Sequence, residues 1–165
     1  MIISTAILED AQSILDIQKV AYLSEAEAYN NYQIAPLLET LDETKEDFKE
    51  KTVLKAVLNG KIIGSVRGYE EKGTCYVQRL MVHPDYQKKG IGKNLMLGLE
   101  EYFPSCDRFD LYTGSLSTGN IRLYKSLGYE QYKIEMIREN IEFAFFEKVN
   151  KVTVPLSQNE IGAEQ

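Results

Sequence analysis

Tryptophan is absent from the chain, histidine occurs once, at His83, and cysteine twice, at Cys75 and Cys106. A zinc site would have to draw on those three side chains, which form no Cys-x-x-Cys pair, so no metal is expected. No apolar run reaches the roughly 18 residues of a membrane span. Met1–Ile14 is broken by Glu9 and Asp10 before an apolar stretch forms, which does not suit a secretory signal. Few cysteines and no leader fit the cytoplasm, where thiols stay reduced. Basic residues are also in short supply: 19 Lys and Arg against 25 Asp and Glu give a formal charge of −6. Such a chain has no overall field to gather nucleic acid or an anionic membrane, and neither is expected as a partner. With 44% hydrophobic and 27% charged residues the composition is that of a folded domain. At roughly 150 residues per domain, 165 residues make one, here 1–149 followed by a polar tail over 150–165.

Within that domain the period changes repeatedly. A short strand at Met1–Ser4 precedes an amphipathic helix carrying Ile7, Ala11, Ile14, Leu15, Ile17 and Tyr22. Periodicity lapses over Ser24–Pro36, which reads as a loop, and a second helix covers Asp42–Lys51. Val53–Leu58 and Lys61–Tyr69 are strands joined by Asn59-Gly60, a dipeptide suited to a tight hairpin. A third strand, Thr74–Val82, follows the Glu70–Gly73 turn. Ile91, Leu95, Met96, Leu99 and Phe103 then recur at helical spacing until Pro104. A strand (Arg108–Thr113), a helix (Thr118–Leu127, closed by Gly128) and two strands (Tyr129–Arg138, Ile141–Val149) complete the set. The fold class is mixed α/β: a mostly antiparallel sheet of six to seven strands, flanked by about four helices, with two parallel strand–helix–strand crossovers.

The most informative stretch is Leu80-Met81-Val82-His83-Pro84-Asp85-Tyr86-Gln87-Lys88-Lys89-Gly90-Ile91-Gly92-Lys93. A strand runs into two glycines, and a helix starts there without a conventional side-chain cap. The free N–H groups of its first turn suit a phosphate, and Lys88, Lys89 and Lys93 add positive charge. A soluble turn is the plainer alternative. A dinucleotide loop is disfavoured, because position 95 is Leu where a third glycine would stand.

Gln87-Lys88-Lys89-Gly90-Ile91-Gly92 resembles the acetyl-CoA-binding pattern Arg/Gln-x-x-Gly-x-Gly/Ala of the GNAT N-acetyltransferase superfamily. Ser117–Tyr129, with Leu123-Tyr124 followed by Gly128-Tyr129, is similar to the superfamily's later helix. The resemblance implies acetyl-CoA as co-substrate, with its pyrophosphate on the main chain of Lys88, Lys89, Gly90, Ile91, Gly92 and Lys93. It implies further that the pantetheine arm pairs with Leu80, Met81 and Val82, that Asn120 helps to hold the cofactor, and that Tyr124 protonates the departing thiolate. On the residues alone, a tyrosine sharing a helix face with Asn120 and Leu127 is as readily a core aromatic.

Acetyl transfer to an amine needs a base, an oxyanion donor and an acid. A main-chain N–H near Met81 suits the oxyanion, and direct attack is expected because neither cysteine nor any serine sits in a nucleophile arrangement. No base is assigned. The inward positions of the third strand, Tyr76 and Gln78, are not bases at neutral pH, His83 reads as a turn residue, and Glu70 or Glu71 could act through water or be solvated charges. Glu25, Glu27, Tyr29 and Tyr32 form either an acidic and aromatic acceptor wall or a solvated loop. The expected acceptor is a small cationic amine, with a protein or peptide amine as the alternative, and a non-catalytic acyl-CoA-binding domain is the rival class. The chain is expected to be a monomer or homodimer.

Overall fold

The computed structural model describes residues 1–138 and 140–150, so the expected tail lies outside it from residue 151 onward. Asn150 itself is held: its N–H donates to the Asp107 carbonyl at 2.9 Å, and its side-chain amide to those of Pro104 and Cys106.

Seven strands, β1 (Ile2–Thr5), β2 (Thr52–Leu58), β3 (Lys61–Glu71), β4 (Thr74–Val82), β5 (Arg108–Gly114), β6 (Glu130–Arg138) and β7 (Ile141–Val149), form one sheet in the order β1-β2-β3-β4-β5-β7-β6. All pairings are antiparallel except β4 with β5. The helix between those two, α5 (Ile91–Tyr102), is the expected parallel crossover. The second crossover differs from expectation. Helix α6 (Thr118–Ser126) leads from β5 to β6, but β7 takes the place beside β5. Burial explains the order: β7 puts Ala144 and Phe146 into the core, whereas residues 131–137 of β6 are all exposed. The more apolar strand occupies the interior and the polar one takes the edge.

Six α-helices are present among the described residues rather than four. Helices α1 (Ala11–Ala21) and α4 (Leu41–Glu50) fall close to the expected ranges, and α4 opens on a Thr40–Glu43 capping box. Two more, α2 (Leu23–Tyr29) and α3 (Ala35–Leu38), lie mainly in the stretch read as a loop. Helix α2 buries only Ala26 and so has no apolar stripe to betray it. It ends at Asn30 in the left-handed region (φ 47°), a conformation asparagine tolerates. Helix α3 is a single turn with Pro36 in its first turn.

Adjacent residues Val53 and Leu54 divide between two cores, as strand alternation requires. On one face Leu95, Met96 and Leu99 of α5 are fully buried with Val66, Phe109 and Phe146, each contributing about 1.5–3 kcal/mol by leaving water. On the other face Ile14 and Ile17 of α1 pack with Val53 and Met81.

Strand β4 carries the feature that positions the site. Ser65 pairs with Met81 and Arg67 with Gln78, so Arg79 and Leu80 together oppose the single residue Val66. This bulge puts Arg79 at φ 52° and reverses the alternation. Val77 points to the α5 face, but beyond the bulge Leu80 and Val82 do so and Met81 turns to the α1 face. Strands β4 and β5 pair only over Thr74–Tyr76 and Arg108–Asp110, which leaves the later edge of β4 unpaired by a strand.

Candidate active site

The opening beside that unpaired edge contains two cavities. The larger, about 490 Å³, is lined by Leu80, Met81, Val82, Gln87, Lys88, Gly90, Ile91, Gly92, Lys93 and Asn120. These are the residues expected to hold the cofactor, with one exception. Lys89 does not line the cavity; its ammonium lies 5.6 Å over the Tyr86 ring instead. Gly90 caps α5 at φ 79°, and no side chain caps the helix, so its first N–H groups remain available to an anion. Gln87 fastens the loop by donating from Nε2 to the Val82 carbonyl at 3.0 Å. His83 is a turn residue: its Nδ1 accepts from the Asp85 N–H at 3.1 Å.

The smaller cavity, about 160 Å³, is lined by residues including Glu25, Tyr29, Gln78, Arg79, Tyr112, Phe143 and Tyr124. Four residues border both spaces: Tyr22, Glu25, Leu80 and Asn120. The two compartments therefore meet at the β4 bulge. The larger offers free N–H groups and two lysines to an anion, the smaller offers a carboxylate, and groups held in the two would meet at that junction.

Tyr124 is 5% exposed, with its ring against Tyr129 and Phe146. Its hydroxyl bonds to no other described residue, and burial pushes it well above the usual phenol range, so it keeps its proton. Glu25 is the only carboxylate lining either cavity among the described residues. Burial raises its carboxyl above the ordinary value. The hydrogen bond from Ser117 Oγ (2.9 Å), one from the Gly114 main chain, and the charge of Arg79 act in the other direction. Tyr22, pushed up to about 12 by burial, faces the Leu80 carbonyl at 3.5 Å. The Tyr29 hydroxyl accepts from the Leu116 N–H at 2.9 Å.

The acceptor wall is thus partly as expected. Glu25 and Tyr29 are in place; Glu27 and Tyr32 are exposed and line neither cavity. Glu70 is also outside, opposite Cys75 near the far end of the sheet from Val82. The missing signal was in α2: Tyr22, Glu25 and Tyr29 recur at three- and four-residue steps and share one helix face. Arg79 too was readable, because an arginine at an inward phase of an apolar strand requires either a buried partner or a bulge.

Behind the site lies an ionic cluster. Arg67 is fully buried and donates to Asp47 at 2.8 Å, to Glu39 at 3.1 Å and to Gln18 at 3.0 Å, while its Nε has no partner. Arg79 Nε reaches Glu39 at 3.4 Å and Lys51 reaches Asp47 at 3.0 Å. Burial pushes Glu39 up, but Arg67, Thr44 and Arg79 outweigh it and hold its carboxyl below the ordinary range.

The sheet is thus split between β4 and β5, with an anion-receptive helix start on one side and a small acid-bearing pocket on the other. The chain belongs to the acetyltransferase (GNAT) family, whose model matches residues 12–129. It is 26% identical over 121 residues to the UPF0157 protein YqkA of Bacillus subtilis, covering 73% of this chain but only 35% of that relative. The fold is similar to that of the ribosomal-protein-S18-alanine N-acetyltransferase from Escherichia coli (TM-score 0.77, 15% identity, 98% and 99% of the two chains). It is also similar to paia N-acetyltransferase from Thermoplasma acidophilum in complex with coenzyme A (TM-score 0.71, 17% identity, 90% and 99%).

Proposed function

We propose that the protein transfers an acetyl group from acetyl-CoA directly to a small primary amine that arrives as its ammonium. The observation that carries this reading is the meeting of the two cavities at Glu25, Tyr22, Leu80 and Asn120, with Tyr124 on the wall of the smaller. The larger cavity suits coenzyme A: lysines and free N–H groups for its phosphates, and the unpaired β4 edge for its arm, which would add like a strand. A family neighbour solved with coenzyme A supports the choice of co-substrate.

Glu25 takes the proton from the ammonium, since its raised carboxyl is a better base than an ordinary glutamate. The neutral nitrogen attacks the thioester carbonyl, and its oxygen gains negative charge beside main-chain N–H groups at the bulge near Met81. The carbon–sulfur bond breaks, and the thiolate takes a proton from Tyr124, which burial has kept protonated. Net, the ammonium nitrogen gives up two protons for the acetyl group, one through Glu25 to solvent and one that restores the Tyr124 phenol, and coenzyme A leaves as the thiol. The cytoplasm is the compartment we infer, with Cys75 and Cys106 buried and unbridged.

A peptide amine is the second reading. Tyr112 and Phe143 line the small cavity, and their rings continue over the sheet through Phe145 to Tyr132. An extended chain could lie there, and the Escherichia coli neighbour is named for a protein acceptor. Thiol release from acetyl-CoA across polyamines, small amines and short peptides tests both. Cofactor binding without turnover of any amine, unaltered in Tyr124→Phe, would identify a sensor domain instead.

A further inference from the structure

The smaller cavity holds more hydrogen-bond donors than its own residues use. Arg79 is tied only through Nε, at the long distance of 3.4 Å; its two terminal nitrogens bond to no described residue, and its side chain is 24% exposed. Its charge is not cancelled, because Arg67, Arg79 and Lys51 share just two carboxylates, Glu39 and Asp47. Beside it the oxygen of Gln78 accepts from Lys51 Nζ at 2.8 Å, which leaves the amide N–H₂ to the cavity. Against these donors stands one carboxylate among the described lining residues, Glu25. The backbone pays for this arrangement, since Arg79 is a non-glycine residue at φ 52°.

Resting on the acetyl-transfer reading, we infer that Arg79 and Gln78 form a carboxylate subsite and that the acceptor is an amine bearing its own carboxylate, of the α-amino-acid type. The ammonium goes to Glu25 and the carboxylate to the guanidinium fork, a geometry to which arginine is suited and lysine is not. Val77, Leu111, Ile34 and Ile141 supply an apolar wall for a side chain. A diamine would set a second positive charge against Arg79, and the uncharged carbonyl of an amide or peptide would leave the fork without its counter-charge.

The test is thiol release from acetyl-CoA with each common L-amino acid, its primary amide and its decarboxylated amine, plus diamines and dipeptides. The expected result is a kcat/KM for the preferred acid about tenfold to a hundredfold above that of its amide, the scale of a charged hydrogen bond. Arg79→Gln brings that ratio toward one, mainly through KM, while Arg79→Lys, retaining the charge without the fork, recovers part of it. A thermal melt and a coenzyme A titration establish that each variant is folded. A preference for amides, amines or dipeptides over acids overturns the subsite alone, as does a ratio that Arg79→Gln leaves unmoved. Silence across the whole panel overturns the acetyl-transfer reading and the subsite with it.

Discussion

Ser117 Oγ donates to Glu25 Oε1 at 2.9 Å, joining α2 to the start of α6 across 92 positions of sequence. The hydroxyl at the N-cap position of the later helix makes no bond to that helix and instead holds the carboxylate that borders both cavities.

Glu25→Gln should reduce kcat by about 10²- to 10⁴-fold, the range for a positioned base. Because burial raises the carboxyl, the acidic limb of kcat/KM in the native enzyme should lie above the ordinary glutamate value of 4.5. The variant should lose that limb. A pH–rate series on both proteins checks it, and a variant retaining full activity would remove Glu25 from the chemistry.

Stability should respond to the two acids with opposite signs. Glu25 has a raised folded-state pKa, so its ionised form opposes folding as pH rises, and Glu25→Gln should melt higher than the native protein at pH 7. Glu39 has a lowered one, so it contributes stability above its unfolded pKa and loses it as pH falls through the folded value. Glu39→Gln should cost roughly 3 kcal/mol at pH 7, the low end for breaking a buried pair, because Arg67 loses a partner. Melting curves between pH 4 and 8 should show both differences shrinking toward the acid end.

Tyr124→Phe keeps the ring packed on Phe146 and removes only the hydroxyl. Expected are a kcat lower by roughly 10²-fold, unchanged coenzyme A affinity and a melting temperature close to native. Stopped-flow thiol release and a cofactor titration separate these quantities.

Two glycines should fail in different compartments. A Cβ at Gly114 would stand 2.8 Å from Glu25 Oε1 and also press on the Tyr29 hydroxyl, so Gly114→Ala should impair acceptor turnover more than cofactor binding. At Gly90 a Cβ meets nothing within 4 Å, but φ is 79°. Gly90→Ala should cost about 1 kcal/mol through the backbone and weaken coenzyme A binding first. Titration of both variants with coenzyme A gives the contrast.

Where a residue's place depends on local spacing, the sequence was readable: Lys88, Gly90, Gly92 and Lys93, and Tyr124 four residues beyond Asn120, all line one of the two cavities. Strand order was not, since nothing within β6 or β7 states which lies nearer β5; that follows from how much each can bury. Helix α2 escaped because its ordered face is polar and turned to a cavity. The strands offer Glu70 and Glu71 as carboxylates, whereas the one that lines the cavities among the described residues is Glu25, on a helix with no apolar stripe to mark it.

The β4 bulge has a consequence for change by insertion or deletion. Without Arg79 the strand would alternate simply, with Leu80 opposite Val66, Leu80 and Val82 still facing α5 and Met81 still facing α1. With Arg79 kept but paired flat, by contrast, Leu80, Met81 and Val82 would each turn over by half a turn, and Met81 would leave the α1 side, where it packs with Ile14. The surplus residue is thus carried as a looped-out extra that leaves the strand in phase on either side of it, so a deletion at that point keeps both halves of the site aligned while one elsewhere between Val77 and Val82 does not.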